Sequence, residues 1–293
     1  MEEQNSRFAG APWYDEKADI AIYGAGGIGS WLSFFLVRAG FDVAFYDFDY
    51  LELSNFSGQL FEKKYMGLSK VNALEKTIDD LCVTRLNQHV HGIESRISDV
   101  EELKYFINNN KGYDIVCSCF DNMQARNNLF NSWLFTMNEI INSNYPDEVE
   151  AAKLRKRCLF IDGRLSMETF QIFCIRGDDF VSQAKYKQEA LFEDSAIPDD
   201  ACTMKQTSHI AAMIGAQMTA FITNYITNVK DGVEGRTVPY KYEFFAPLTL
   251  QNIIEQPKIV LVMPVDTETI EITKPDTDTP IINDTIRLDD ETI

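Results

Sequence analysis

The first stretch of this 293-residue chain whose residues suggest chemistry holds four glycines: Gly24, Gly26, Gly27 and Gly29. In the spacing GxGxxG, Gly24 lets the chain turn sharply and Gly26 lets the backbone approach a phosphate. Gly29 lets a helix pack closely on a strand. The pattern predicts a phosphate-binding turn. A glycine turn that only packs a helix on a sheet is the alternative.

The residues around the glycines supply the elements that such a turn needs. An apolar run starting at Ile20 precedes it, and an amphipathic run from Trp31 to Ala39 follows it, so we expect a strand and then a helix. The N-terminus of that helix would offer N–H groups and partial positive charge to an anion. A second strand, from Asp42 to Tyr46, ends at Asp47, which is placed to accept a ribose hydroxyl. We predict a nucleotide-binding first βαβ unit.

More polar residues follow the strands of the same region. A turn-rich segment after Asp47 contains Asp49, Asn55 and Gln59, and Lys70 opens an amphipathic helix. Open α/β sheets bind ligands at the carboxyl ends of their strands, where this segment begins. The segment is therefore a candidate part of the site.

Alternation of strands and helices predicts an α/β fold, with a Rossmann-like, doubly wound, mostly parallel sheet and antiparallel C-terminal strands. After Lys70 we expect a short strand within Asn87–Ile97, a helix over Val100–Ile107, a strand over Tyr113–Phe120 that ends at Asp121-Asn122, and a helix carrying Arg126. A strand from Cys158 with a polar exit at Asp162-Gly-Arg164 and an antiparallel strand over Thr169–Ile175 should follow. The remaining elements are a polar segment over Gly177–Asp200, a helix over Ser208–Val229, and strands over Tyr240–Phe245 and Lys258–Met263. From Pro264 the chain is rich in Thr, Asp and Glu and has no aromatic residue, which is typical of a disordered acidic tail. We expect one domain over residues 1–263 and a tail over residues 264–293.

The charge balance limits the class of partner. The net charge is −18, which argues against nucleic acid as the main partner because phosphate binding needs clustered Lys and Arg. No signal peptide or apolar run of membrane-spanning length is visible, so no membrane association is expected. The six cysteines form no CxxC pair, which favours reduced thiols in a cytoplasmic protein.

Five motifs occur in a characteristic order: Gly24–Ser30 (GxGGxGS), Asp47–Asp49 (DxD), Ser54–Gln59 (SNxxxQ), Gly67–Lys70 (GxxK), and Asp121-Asn122 with Arg126 (DNxxxR). Over roughly residues 18–130 the chain resembles the superfamily of ThiF, MoeB and the ubiquitin-activating enzymes. Its overall look is similar to the small ThiF-like proteins of bacteria, plasmids and phages. An ordinary dehydrogenase has no reason to carry the three middle motifs.

The resemblance implies a reaction. The C-terminal carboxylate of a small carrier protein or peptide attacks the α-phosphate of ATP, giving an acyl-adenylate and pyrophosphate. It implies that Lys70 contacts phosphate and that Asp121 holds Mg²⁺. It also implies ATP contacts from the glycine loop and from further residues: Asp47, Asp49, Asn55, Gln59, Asn122 and Arg126. From the residues alone, Lys70 could instead face solvent, Asp121 could cap a helix, and Asn55 and Gln59 could only order their loop.

The chain departs from the family pattern at Gly58, where an arginine commonly precedes the glutamine. Either the reaction is slower, or another arginine replaces it. Arg7 is the first candidate, because relatives often supply an N-terminal arginine from the other subunit of a homodimer. Arg126 and Arg164 are alternatives. The family's paired CxxC motifs are also absent, so no structural zinc is expected.

Cys202 lies in the segment Pro198-Asp-Asp-Ala-Cys-Thr203, which is similar to the catalytic cysteine segment of ubiquitin-activating enzymes with the proline displaced. A cysteine near a helix N-terminus can act as a nucleophile and would here take the acyl group as a thioester. Asp199 and Asp200 oppose a lowered pKa of its thiol. The alternative is a loop cysteine that only packs.

Three hypotheses for function follow. The leading one is an adenylating enzyme acting on a ubiquitin-like, sulfur-carrier or peptide C-terminus. The second is an oxidoreductase that uses a nicotinamide or flavin cofactor, which the glycine loop and Asp47 permit. The third is a non-catalytic scaffold that binds a nucleotide or partner without turnover, for which Gly58 is the best support.

Overall fold

The fold follows from apolar runs that form buried strands in a computed structural model. The structure describes residues 10–14, 16, 18–83, 88–96, 114–142, 147–192, 207–231, 236–246 and 251–255. The expected helix over Val100–Ile107, the strand over Lys258–Met263 and the acidic tail lie outside the described residues. The chain divides into units over residues 1–257 and 258–293, and the second is wholly outside them. The domain boundary at residue 263 therefore stays a prediction.

One eight-stranded sheet organises the molecule, in the order β3-β2-β1-β4-β5-β6-β7-β8. The first five strands are parallel: β1 (Asp19–Tyr23), β2 (Asp42–Asp47), β3 (Val90–Glu94), β4 (Ile115–Ser118) and β5 (Leu159–Ser166). The last three extend the sheet antiparallel: β6 (Thr169–Arg176), β7 (Lys241–Phe245) and β8 (Gln251–Glu255). The mostly parallel sheet with antiparallel C-terminal strands is confirmed.

Six helices lie within the described part of the chain: α1 (Gly27–Ala39), α2 (Lys70–Leu81), α3 (Met123–Asn142), α4 (Glu148–Arg157), α5 (Phe180–Lys185) and α6 (Ser208–Asp231). A single π-helical turn, Tyr186–Ala190, continues α5. The segment between β2 and α2 contains two short 3₁₀ turns, Leu53–Ser57 and Lys63–Tyr65.

Helices cover both faces of the sheet, which gives two cores. One face packs against α1, α2 and α6 through side chains such as Ile22, Phe45, Cys117, Ile161, Leu32, Leu74 and Ile214. The other packs against α3, α4 and the π-helical turn through side chains such as Tyr23, Val116, Phe160, Phe130, Trp133, Ala151 and Tyr186. A doubly wound sheet leaves its strand ends as the place for a ligand.

Strand β5 corrects one expectation. Asp162-Gly-Arg164 was predicted as a polar exit from the strand, but β5 continues to Ser166 and pairs with β6 over its whole length. Asp162 is fully buried in mid-strand. The polar residues do not end the strand because an antiparallel neighbour satisfies its backbone and buried partners satisfy the carboxylate.

Candidate functional site

The glycine loop between β1 and α1 is shaped by packing at two of its positions. Gly24 has a φ of +96°, and a Cβ there would lie 2.7 Å from the carbonyl oxygen of Cys119. A Cβ at Gly29 would lie 1.8 Å from the carbonyl oxygen of Gly24. At Gly26, in contrast, a Cβ would meet only the side-chain nitrogen of Gln59, at 3.9 Å. Packing therefore requires glycine at 24 and 29, and leaves open space at 26.

The N-terminus of α1 faces this open space without a capping side chain. The cap residue is Gly26, which has no side chain to accept a capping hydrogen bond, and the first turn of α1, all of it described, contains no acidic residue. The first N–H groups of a helix have no partner within the helix and attract anions. The loop can therefore receive a phosphate through backbone donors.

Asp47 joins the end of β2 to the glycine loop. One oxygen of its carboxylate accepts the N–H of Ala25 at 2.8 Å, and the other accepts the N–H of Asp49 at 2.8 Å. Burial raises the pKa of Asp47 above its ordinary value, although the charge of Lys70 and these two N–H donors oppose the rise. The carboxylate is thus held where the loop turns.

Lys70, the first residue of α2, is fixed by Asp49. Its Nζ lies 2.7 Å from Oδ2 of Asp49, and its backbone N–H donates to the Asp49 carbonyl at 2.8 Å. The side chain is only 10% exposed, so Lys70 does not face bulk solvent. The DxD and GxxK motifs therefore meet, and the Lys70 cation is held by a carboxylate that stands two residues beyond the end of β2.

The segment over residues 54–61 is fastened to the start of α1. The indole N–H of Trp31 donates to the Gly58 carbonyl at 3.1 Å, and the N–H of Leu60 donates to the Ser30 hydroxyl at 2.9 Å. These bonds bring Gln59 over the glycine loop. Within the described part of the chain, its buried Oε1 has no hydrogen-bond partner.

Asn55 orders its own turn, because its Oδ1 accepts the N–H of Glu52 at 2.8 Å. This is one of the two roles expected for it from the sequence. The predicted contact between Asn55 and a phosphate stays a prediction.

The carboxyl end of β4 presents Asp121 and Asn122, both exposed. Oδ1 of Asn122 accepts the N–H of Ala125 at 2.8 Å, as a helix cap does at the start of α3. The cap is therefore Asn122, and the Asp121 carboxylate is left exposed beside the glycine loop, since Gly24 packs on Cys119. Mg²⁺ is commonly held by one or two carboxylates together with substrate phosphates, and Asp121 fits that pattern.

Arg126 lies in a buried network with Asp162, Arg164 and Tyr186. Its guanidinium donates to Asp162, to the Gly163 carbonyl and to the Phe120 carbonyl. Asp162 also accepts from Arg164 Nε at 2.7 Å and from the Tyr186 hydroxyl at 2.9 Å. Asp162 and Tyr186 were not among the site residues predicted from the sequence. The Asp-Gly-Arg pattern was a signal for the first, and nothing marked the second.

Several expectations fall outside these contacts. Arg7 and Cys202 lie outside the described residues. Among the residues that are described, no group of three or more His, Cys, Asp and Glu side chains could hold a metal ion. The described cysteines are all free thiols, and burial raises the pKa of Cys158 to about 12. None of the described helices is long and apolar enough to cross a lipid bilayer.

The fold and site define a doubly wound α/β protein with an open glycine loop, an acidic strand end and a buried lysine side by side. The chain belongs to the ThiF family, whose model matches residues 16–258. The superfamily resemblance noted in the motifs is thereby confirmed.

Curated relatives match a shorter part of the chain. Ubiquitin-like modifier-activating enzyme 5 of Mus musculus is 36% identical over 116 residues, which is 36% of this chain and 28% of that protein. The same enzyme of Aedes aegypti is 33% identical over 116 residues, which is 38% of this chain and 29% of that protein. The chain thus spans under a third of the length of the curated relatives that it matches.

Solved structures share the fold over a longer range. Escherichia coli MccB, solved with ATP, has a TM-score of 0.56 at 15% identity and covers 84% of this chain and 65% of its own. PaaA has a TM-score of 0.55 at 15% identity and covers 82% of this chain and 72% of its own. At this identity the likeness shows the fold alone.

Proposed function

We propose that the protein is an ATP-dependent adenylating enzyme that activates the C-terminal carboxylate of a ubiquitin-like protein, a sulfur carrier or a peptide. The observation that carries the proposal is the meeting of Lys70, Asp49 and Asp47 beside a glycine loop that is open at Gly26. Membership of the ThiF family supports it, as do the relatives named modifier-activating enzymes and the structures of MccB with ATP and with its MccA peptide.

Each part of the candidate site has a separate role in the proposed reaction. The open backbone at Gly26 and the N-terminus of α1 receive the phosphates, and Asp47 accepts a ribose hydroxyl. Lys70 supplies positive charge where charge gathers on the phosphates as the carboxylate attacks. Because Asp49 already holds Lys70 in place, little reorganisation is needed at the moment of reaction.

Asp121 is the residue that would hold Mg²⁺, together with phosphate oxygens of ATP. Mg²⁺ would neutralise charge on the phosphates as pyrophosphate departs. The exposed carboxylate at the end of β4 and the cap role of its neighbour Asn122 support this assignment.

The cation missing at Gly58 is not replaced by Arg126 in this proposal. Arg126 is 6% exposed and engages three groups of the protein itself. Arg164 is also engaged, with Asp162 and with Tyr186. In this proposal, Arg7 from the other subunit of a homodimer replaces the arginine that is missing at Gly58. Cys202 remains the proposed nucleophile that takes the acyl group as a thioester.

A non-catalytic nucleotide-binding scaffold is the second candidate function. Gly58 favours the scaffold, because this position supplies no cation. The residue is buried, and its carbonyl accepts the indole N–H of Trp31. An oxidoreductase has no comparable support, since the Lys70–Asp49 pair serves no hydride transfer.

Pyrophosphate release tests the proposal. Mg-ATP is incubated with synthetic peptides ending in Gly-Gly or Asn, each with a free or an amidated C-terminus. Release that requires the free carboxylate and is lost in Asp121→Ala is expected. Release that is equal with the amidated peptides would contradict adenylation of a carboxylate.

A further inference from the structure

Arg126 links β4 and β5 at the end of the sheet where Asp121 follows β4. It is the fourth residue of α3, and its side chain is buried. One nitrogen of its guanidinium donates to the Asp162 carboxylate and, at 3.0 Å, to the Gly163 carbonyl of β5. The other donates to the carbonyl of Phe120, which directly precedes Asp121. A single planar group thus bridges β5 and the end of β4.

The anchor of this bridge, Asp162, is itself held by three side chains. Asp162 is fully buried opposite Ser118 of β4, and its second oxygen accepts from Arg164 and Tyr186. Burial opposes the charge of Asp162, but the two arginines outweigh it and hold the pKa of its carboxyl below the ordinary value. A charged, fully bonded carboxylate gives Arg126 one orientation.

The segment that Arg126 holds has left the sheet. Strand β4 ends at Ser118, and Cys119 still donates to the Tyr23 carbonyl at 2.8 Å. Beyond it, the Phe120 carbonyl is held by Arg126, and Asn122 is held through its cap on Ala125. Asp121 lies between these two attachments, and its Oδ1 accepts from Nδ2 of Asn122 at 3.3 Å, so the place of its carboxylate depends on both.

We propose that Arg126 is a positioning residue that sets the Asp121 carboxylate for Mg²⁺ by holding the Phe120 carbonyl, without touching the nucleotide. The inference rests on the proposed function, because it assigns the metal-bound nucleotide to Asp121. It gives Arg126 a role different from the direct ATP contact expected from the motif. Outer partners of metal ligands affect metal affinity by about 10–100-fold when they are replaced.

A metal titration separates positioning from nucleotide contact and from folding. The melting temperature is measured at saturating ATP against Mg²⁺ concentration, and separately with ATP and a chelator. Arg126→Lys keeps the charge beside Asp162 but loses the planar fork that reaches Phe120. Arg157→Lys is the matched control, because Arg157 pairs with Asp114 at the surface.

Arg126→Lys should raise the half-saturating Mg²⁺ concentration about 10-fold or more and leave the metal-free ATP shift unchanged. Arg157→Lys should change neither. An unchanged Mg²⁺ titration in Arg126→Lys, or an equal loss of the metal-free and metal-bound shifts, would overturn the inference. If the wild-type protein shows no shift with Mg-ATP, the proposed function fails instead.

Tyr186→Phe keeps the test decisive if Arg126→Lys does not fold. It removes the 2.9 Å bond to Asp162 and the 3.3 Å bond accepted from Arg164, and it retains the ring in its core. The half-saturating Mg²⁺ concentration should rise in the same direction, by a smaller factor. A wild-type titration in a folded Tyr186→Phe variant would then overturn the inference.

Discussion

The Nζ of Lys70 lies 2.7 Å from Oδ2 of Asp49, and the backbone N–H of the same lysine donates to the carbonyl of the same aspartate. The lysine of one motif is thereby held by the second carboxylate of another. Asp49 in turn donates its N–H to Asp47, whose carboxylate reaches the glycine loop. The three motifs form one connected unit before any ligand binds.

Replacing Lys70 should weaken phosphate binding selectively. Hydrogen bonds to charged groups contribute about 1.5–3 kcal/mol, so Lys70→Ala should lower the affinity for Mg-ATP about 10–100-fold. The affinity for adenosine, which lacks phosphates, should hardly change. Calorimetric titration measures both. Lys64→Ala is the control, because Lys64 is 56% exposed and pairs with Asp80; equal Mg-ATP affinity in the two variants would contradict the role of Lys70.

Two glycine substitutions should separate folding from ligand binding. Gly26→Ala should lower the unfolding free energy by at most about 1 kcal/mol, because alanine is a poorer helix cap than glycine but its Cβ meets only Gln59 at 3.9 Å, and it should weaken ATP binding. Gly29→Ala should destabilise the fold strongly, because its Cβ would lie 1.8 Å from the Gly24 carbonyl oxygen. Urea unfolding and ATP titration measure the two effects. Full ATP affinity in Gly26→Ala would mean that no phosphate approaches there.

The raised pKa of Asp47 predicts a pH dependence of nucleotide binding. Only the carboxylate accepts a ribose hydroxyl without competing as a donor, so protonation should weaken AMP binding. Because burial raises this pKa, the loss should begin above the ordinary value of about 3.9 as the pH falls. The ratio of AMP affinities between the wild type and Asp47→Asn should therefore fall towards one on mild acidification. A ratio that stays constant would contradict it.

The same shift has a consequence for stability. Since the folded protein holds this proton more tightly than the unfolded chain, the Asp47 carboxylate costs stability above its folded pKa. That cost is relieved as the pH falls through the raised value.

The Arg126 network should matter for stability more than a surface ion pair. Asp162→Asn removes a buried charge from between Arg126 and Arg164, and losing one partner of a buried pair costs about 3–5 kcal/mol. Glu150→Gln, which only weakens the exposed pair with Lys153, should cost about 1 kcal/mol or less. Urea unfolding at neutral pH compares them. Similar losses would show that the network is not a main support of the sheet.

Much of the fold followed from periodicity and turn chemistry. Strand β2, helix α6 and the antiparallel strand β6 lie within one or two residues of the predicted bounds. Helix α4 could not be predicted from an apolar face, because Ala151 is its one buried residue. Its signals were Asp147, which caps it, and basic residues in its last turn.

Motif spacing made part of the candidate site predictable, whereas the contacts between residues far apart in sequence were not predictable. Spacing placed Asp47, Lys70 and Asp121 at strand and helix ends. It did not show that Asp49 would hold Lys70, or that Arg126 would turn towards Asp162, 36 residues away. The first pair depends on how the segment between β2 and α2 folds back, and the second depends on strand order, which local sequence does not specify.

The proposed ATP site is tested most directly by melting temperatures measured with Mg-ATP, ATP plus chelator, NAD, NADP and FAD on the wild type, Lys70→Ala and Asp121→Ala. A ligand that binds the folded state raises the melting temperature by mass action. We predict a shift of the wild-type melting temperature with Mg-ATP, a smaller shift in both variants, and no shift with the dinucleotides. A shift with NAD or FAD in place of Mg-ATP would contradict it.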